Sequence, residues 1–187
     1  LVTEAQFRAN VDSIDSRGLR QAGYIYMNQD GGGRYVNTKA LGDWVRSKGF
    51  KFGMYGNNVN YTRTEEEWVR RWIDGGADFV KWDAYNSTWN NATFTKVRDL
   101  LAQSGRPIVY SGHCVPEIVN TTIPGIANMW RTTPDIYIPW EAPQDAWNKI
   151  VNYIRMNNNF AAYAKPGYWN DPDFLLVGLT DGWPDQS

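Results

Sequence analysis

Only one cysteine and one histidine occur in the sequence, Cys114 and His113. A single thiol excludes an internal disulfide framework and any multi-cysteine metal site. No H-E-x-x-H or comparable spacing occurs, so neither a metal nor a cofactor is expected. There is no surplus of positive charge: 19 Lys and Arg face 20 Asp and Glu. That argues against a nucleic-acid partner held by phosphate attraction. No apolar run approaches the roughly 20 residues of a membrane span, so no membrane partner is expected. No signal peptide opens the chain. The dinucleotide-binding G-x-G-x-x-G is missing too. Gly31-Gly-Gly33 follows Asp30, but Arg34-Tyr35-Val36 leads away without a third glycine or a prompt helix.

What the chain holds in excess is aromatic. Fifteen per cent of its 187 residues are Phe, Trp or Tyr, including 10 Trp and 11 Tyr. So many indoles exceed the needs of one core, and flat apolar sugar faces stack well on Trp and Tyr. An oligo- or polysaccharide is therefore the first expected partner. Hydrophobic residues at 42% and charged ones at 21% suffice for a buried core and exclude disorder.

The hydrophobic pattern alternates between the two periods. Helices are expected over residues 4–21, 38–48, 64–74, 91–104 and 142–156, and Thr64-Glu-Glu-Glu67 opens one of them as a capping box. Strands are expected over 23–28, 50–55, 77–82, 107–111 and 126–131, with a sixth inside 161–169. Strands separated by helices imply parallel βαβ units. Nearly every expected strand ends in a chemically capable residue: Asn28 and Asp30, Tyr55 and Asn57, Lys81 and Asp83, Ser111 and His113, Arg131 and Asp135, Asn170 and Asp171. In a (β/α)8 barrel such ends converge on one mouth. The fold expected is thus an α/β (β/α)8 TIM barrel forming one domain, residues 1–187. About six βα units are visible where eight are needed, so the barrel looks incomplete.

Three segments carry chemistry. In Phe79-Val-Lys-Trp-Asp83 the Lys81 and Asp83 side chains share one side of a strand. A neighbouring cation keeps a carboxylate ionised, as a nucleophile requires, although a structural ion pair at a strand end has the same pattern. An aldolase would instead use Lys81 as a Schiff-base amine, which needs a depressed pKa that Asp83 opposes. Trp130-Arg131-Thr-Thr-Pro-Asp135 places an acid behind a rigidifying proline, as a catalytic acid or as a turn residue or cap. Gly167-Tyr-Trp169-Asn-Asp171-Pro-Asp173 is compatible with ligand contact or loop scaffolding. Two carboxylates from different strands of one mouth are what glycoside hydrolysis needs.

These segments, with three others in the same order, resemble glycoside hydrolase family 27, the α-galactosidase or melibiase family. Gly23-Tyr24 to Asp30 resembles its G-Y-x-Y-V-N-x-D-D segment, and Ser47 to Tyr55 its S-K-G-L-K-x-G-I-Y. Phe79 to Asp83 resembles Y-L-K-Y-D, and Gly105 to Ser111 resembles G-R-P-I-x-Y-S. Trp130 to Ile136 resembles W-R-x-x-x-D-I, and Gly167 to Leu175 resembles G-x-W-N-D-P-D-M-L. The resemblance implies a retaining α-glycosidase with Asp83 as nucleophile and Asp135 as general acid/base. It also implies that Lys81, Arg131 and Asp30 bind sugar hydroxyls, and that Asp173 contacts sugar or supports the nucleophile. Tyr55 and Trp169 join the expected substrate-binding set. A catalytically inactive carbohydrate-binding barrel is the alternative, although it would be expected to have lost one of the two acids.

The departures fall where the sugar is selected. Gly31 replaces the second acid of the D-D pair, and Gly32-Gly33 replaces the Cys-Trp that follows it. Ser111-Gly-His113-Cys-Val-Pro stands where S-x-C-E-W is common, which sets His113 near the sugar's 2-position. The resemblance therefore implies α-glycoside hydrolysis with a preference shifted from galactose, for example toward an α-1,6-glucan as in the family's isomalto-dextranases, with a true α-galactosidase as the alternative. Trp82, Trp89, Trp130, Trp140 and Trp169 are stacking candidates, about half of them expected to be structural. Cys114 is expected to be a small buried residue. Sequons at Asn60, Asn86, Asn91 and Asn120 signify only in a secreted eukaryotic protein; secretion is the expected location.

Overall fold

A computed structural model describes residues 2–31, 37–57, 63–85, 91–115, 123–136 and 143–173. Helix α1 (Glu4–Ser16) is followed by β1 (Tyr26–Asn28), α2 (Thr38–Ser47), β2 (Lys51–Asn57), α3 (Glu65–Asp74), β3 (Phe79–Tyr85) and α4 (Asn91–Gln103). Then come β4 (Val109–Val115), β5 (Met129–Arg131), α5 (Pro143–Asn158), a short 3-10 helix (Ala161–Tyr163) and β6 (Trp169–Asp171). All six strands are parallel, and their order in the sheet is their order in the chain. A doubly wound sheet reverses order at a switch point, whereas a barrel wall does not. The sheet is six strands of an incomplete TIM barrel, as the sequence implied.

Several boundaries differ from the sequence expectation. Helix α1 stops at Ser16 rather than near 21, because Gly18 takes φ +76 and turns the chain out of the helix. The sixth strand begins only at Trp169; residues 161–163 form the 3-10 turn instead. Strands β3 and β4 run on to Tyr85 and Val115, so Asp83 and His113 lie inside strands and not in loops.

Period-two alternation divides the sheet. Phe52, Met54, Val80, Trp82, Ala84, Tyr110 and Trp130 are buried in the hydrophobic core. Thr64 caps α3 with a complete capping box. That fixes the helix so that Trp68 and Trp72 reach Trp82, with ring centroids about 6 Å apart. A Cβ on Gly56 would meet Trp72 at 2.6 Å, so only glycine lets α3 lie this close to β2. This packing corrects one expectation: Trp82 and Trp130 are fully buried beneath the helices and are unavailable to stack on a sugar. Trp89, Trp140, Gly32, Gly33 and the sequons at Asn60, Asn86 and Asn120 lie outside the described residues, as do the side chains of Asn91 and Cys114. No helix among the described residues is long and apolar enough to cross a membrane.

Candidate active site

The opposite face of the sheet carries the polar residues. Register sets Tyr55 beside Lys81, Asn57 beside Asp83, and Asp83 beside His113. Arg131 pairs with Asp171 on β6. A cavity of about 260 Å³ opens at these strand ends, lined by Asp30, Lys81, Ser111, Arg131, Asp171 and Asp173 among others.

One half of the site is built around Asp83, which is only 4% exposed. The Tyr55 hydroxyl donates to Asp83 Oδ2 at 2.8 Å and accepts from Asn57 Nδ2 at 3.1 Å. His113 Nδ1 lies 3.2 Å from Asp83 Oδ1, and Lys81 Nζ lies 3.9 Å from the same oxygen. Lys81 also donates to both oxygens of Asp30, at 3.2 and 3.4 Å. Burial alone would push the Lys81 ammonium down, but the Asp83 and Asp30 carboxylates outweigh it and raise its pKa. An ammonium held charged suits sugar hydroxyls and the neighbouring Asp83 carboxylate, and runs against the depressed pKa that a Schiff-base amine needs.

The other half is built around Arg131, also buried. Its Nη1 meets Asp135 Oδ1 at 2.9 Å and its Nη2 meets Asp173 Oδ2 at 3.3 Å. Burial again pulls the pKa down, and Asp173, Asp171 and Asp135 together carry it up. The guanidinium is thereby shared among several carboxylates, which divides its hold on Asp135. The Asp135 side chain remains 41% exposed, within reach of an incoming ligand.

Asp173 sits in the Asp135 half. Its Oδ2 accepts the Ile136 backbone N–H at 2.6 Å, and its own N–H donates to Asp171 Oδ1 at 2.9 Å. These bonds hold it at φ +72, a left-handed conformation that a non-glycine residue adopts only when its surroundings demand it. The loop after β6 is thus clipped to the loop that carries Asp135.

The remaining expected residues divide. Asp30 faces the cavity, and its Oδ1 accepts the N–H of Gly31 at 2.8 Å. Gly31 itself has φ +64 and open space around its α-carbon. Trp169 stands apart: at the start of β6, level with Met129, it is half-exposed and lines a separate groove against α5. Sequence reasoning placed Asp171 and Ser111 at strand ends but gave neither a role in the site. Asp171 is the notable omission, because burial pushes its carboxyl above the usual range against the opposing pull of Arg131. The signal available was its offset of two from Asp173 across a proline.

A parallel barrel wall that sets part-buried Lys81 and buried Arg131, each flanked by carboxylates, at its strand ends is an arrangement suited to gripping sugar hydroxyls. The comparisons agree. The family described as alpha galactosidase A matches residues 32–187, and the chain belongs to it: the melibiases of glycoside hydrolase family 27. Alpha-galactosidase 2 of Arabidopsis thaliana is 32% identical over 95% of this chain. Alpha-N-acetylgalactosaminidase of Gallus gallus is 30% identical over the same share. The chain spans about half the length of these relatives, 50% and 52%. A crystallised α-galactosidase/melibiase candidate from Bacteroides fragilis superposes with a TM-score of 0.74 at 26% identity, over 95% of this chain and 44% of that one. A β-L-arabinopyranosidase of family 27 from Geobacillus stearothermophilus shares the fold, with a TM-score of 0.70 at 16% identity over 92% of this chain and 57% of its own.

Proposed function

We propose that the protein is a retaining glycoside hydrolase acting on α-linked sugars, with Asp83 as nucleophile and Asp135 as general acid/base. The observation that carries this is the contrast between the two acids. Asp83 is buried, pinned by Tyr55 and set beside Lys81, as an ionised nucleophile should be. Asp135 is half-exposed on a clipped loop, where it can reach a leaving group.

In the first step an Asp83 oxygen attacks the anomeric carbon, forming a C–O ester bond. The glycosidic C–O bond breaks, and its oxygen takes the Asp135 proton. In the second step water attacks the same carbon and gives its proton to the Asp135 carboxylate. The ester bond breaks, and its electron pair returns Asp83 to a carboxylate. Lys81, Arg131 and Asp30 bind hydroxyls of the bound sugar.

The sugar is proposed to differ from galactose. Gly31 offers no side chain where the resembled pattern has a second carboxylate. Sites that hydrogen-bond a sugar reject analogues because unmatched buried groups stay unpaired, so losing a carboxylate relaxes that rejection. An α-1,6-glucan is the first choice. The names of the relatives favour a galactoside or N-acetylgalactosaminide instead. Kinetics of the full-length gene product on melibiose, raffinose, dextran and the matching p-nitrophenyl glycosides test both levels. Action on dextran above melibiose supports the shift. Efficient galactose release with no action on glucan overturns the shift alone, and no hydrolysis of any α-glycoside overturns the reading.

A further inference from the structure

By resemblance alone His113 would stand near the sugar's 2-position. Its placement gives it another task. Strand β4 does not stop at Ser111 but continues to Val115, which brings His113 level with Asp83 on the neighbouring strand. Both side chains point to the polar face, and His113 is only 3% exposed. Its Nδ1 lies 3.2 Å from Asp83 Oδ1. An ionised carboxylate oxygen can only accept, so Nδ1 carries the proton.

A carboxylate turns about its Cβ–Cγ bond, and one hydrogen bond leaves that rotation soft. The Tyr55 hydroxyl fixes Oδ2 at 2.8 Å. Among the described residues the next donor is Lys81, but at 3.9 Å its ammonium is beyond hydrogen-bond distance and is already engaged by Asp30. The second anchor is the imidazole.

We infer that His113 is a positioning residue for the nucleophile: its Nδ1–H, opposite the Tyr55 hydroxyl, fixes the plane of the Asp83 carboxylate for attack. The inference rests on the reading of Asp83 as nucleophile. It assigns His113 to the reacting group and not primarily to recognition of a sugar hydroxyl. Misalignment of an attacking group lowers the rate of the chemical step more than it weakens substrate binding. The same donor also steadies the charge that returns to Asp83 when the glycosyl ester is cleaved.

The test uses three substitutions in the full-length gene product, with p-nitrophenyl α-galactoside, α-N-acetylgalactosaminide and α-glucoside as probes. His113→Ala removes the donor. His113→Asn places an amide N–H where Nδ1 stands, and His113→Gln carries it further out. The expected result is a kcat lowered about 10- to 100-fold in the Ala variant, the loss tied to one hydrogen bond to a charged group. The loss is by the same factor on every probe that is turned over, with KM little changed. The Asn variant recovers most of the rate and the Gln variant does not; if the Ala variant fails to fold, this pair decides. In an Asp83→Ala background revived by azide, removing His113 should cost nothing further, because the carboxylate it positions is gone.

An unchanged kcat with a raised KM, or losses that differ between sugars with and without the 2-acetamido group, would make His113 a sugar reader and overturn the inference. So would an Asn variant as slow as the Ala variant in protein that unfolds at the wild-type temperature, or an equal further loss in the azide-revived background. Full activity in Asp83→Ala alone would instead overturn the reading of Asp83 on which the inference stands.

Discussion

The two acids of the site are distinguished by what surrounds them, and that difference yields separate predictions. Asp83 is buried among donors, whereas the Asp135 side chain is 41% exposed and meets a guanidinium that Asp173 also engages. General acid catalysis matters most where the departing oxygen is basic. Asp135→Ala should therefore lose about 10²–10⁴-fold on poor leaving groups and much less on activated aryl glycosides. Equal losses on both would reduce Asp135 to a sugar contact; paired kinetics on alkyl and dinitrophenyl glycosides check it. Asp171 supplies a prediction about stability. Burial raises its carboxyl above the usual range while Arg131 pulls it down, so the folded state binds this proton more tightly than the unfolded chain does. Stability from this residue is complete below the ordinary Asp range, near pH 4, and is lost as pH rises through the raised value. Asp171→Asn should lack that decline, so its thermal midpoint should gain on the wild type between acid and neutral pH. Parallel midpoint-against-pH curves for the two proteins would contradict the assignment. These side chains were unequally legible in sequence. Lys81, Asp83, Arg131 and Asp135 stood out because charges ended apolar strands. Asp171 was legible as a strand-end acid, but placing the sixth strand too early hid its register with Arg131.

At the scale of elements, the site depends on helices packed behind the strands that carry it. The capping box at Thr64 and the glycine at 56 let α3 press Trp68 and Trp72 onto Trp82, the residue between Lys81 and Asp83. Trp72→Ala should cost about 3–5 kcal/mol, the usual penalty for emptying a large aromatic site in a core. Chemical denaturation should show it as a lower midpoint with an unchanged slope. A loss below about 1 kcal/mol would mean that the indole cluster is not what seats β3. The helices and their caps were readable because apolar spacing and capping residues are local signals. Strand ends were less so. Gly112, His113 and Cys114 have the composition of a loop, and pairing with β3, and at Gly112 also with β5, keeps them extended. That pairing is a tertiary effect with no local signature, and it is what carries His113 to Asp83.

For the whole molecule, consecutive parallel order explains why residues spread from Asp30 to Asp173 meet at one mouth. The alternation of strand and helix made the barrel legible without any knowledge of contacts. Which acids face each other across the mouth was not legible, because that is decided by barrel stagger. The claim on which the rest depends is that a sugar becomes covalently bound to Asp83. The most direct measurement is mass spectrometry of the full-length gene product after incubation with a fluorinated α-glycosyl donor, one that forms the ester readily and hydrolyses slowly. The account predicts a mass gain of one fluorinated glycosyl unit, located on the peptide that contains Asp83 and absent from Asp83→Asn. Continued hydrolysis of natural substrate by Asp83→Asn, or an adduct on another carboxylate, would contradict it.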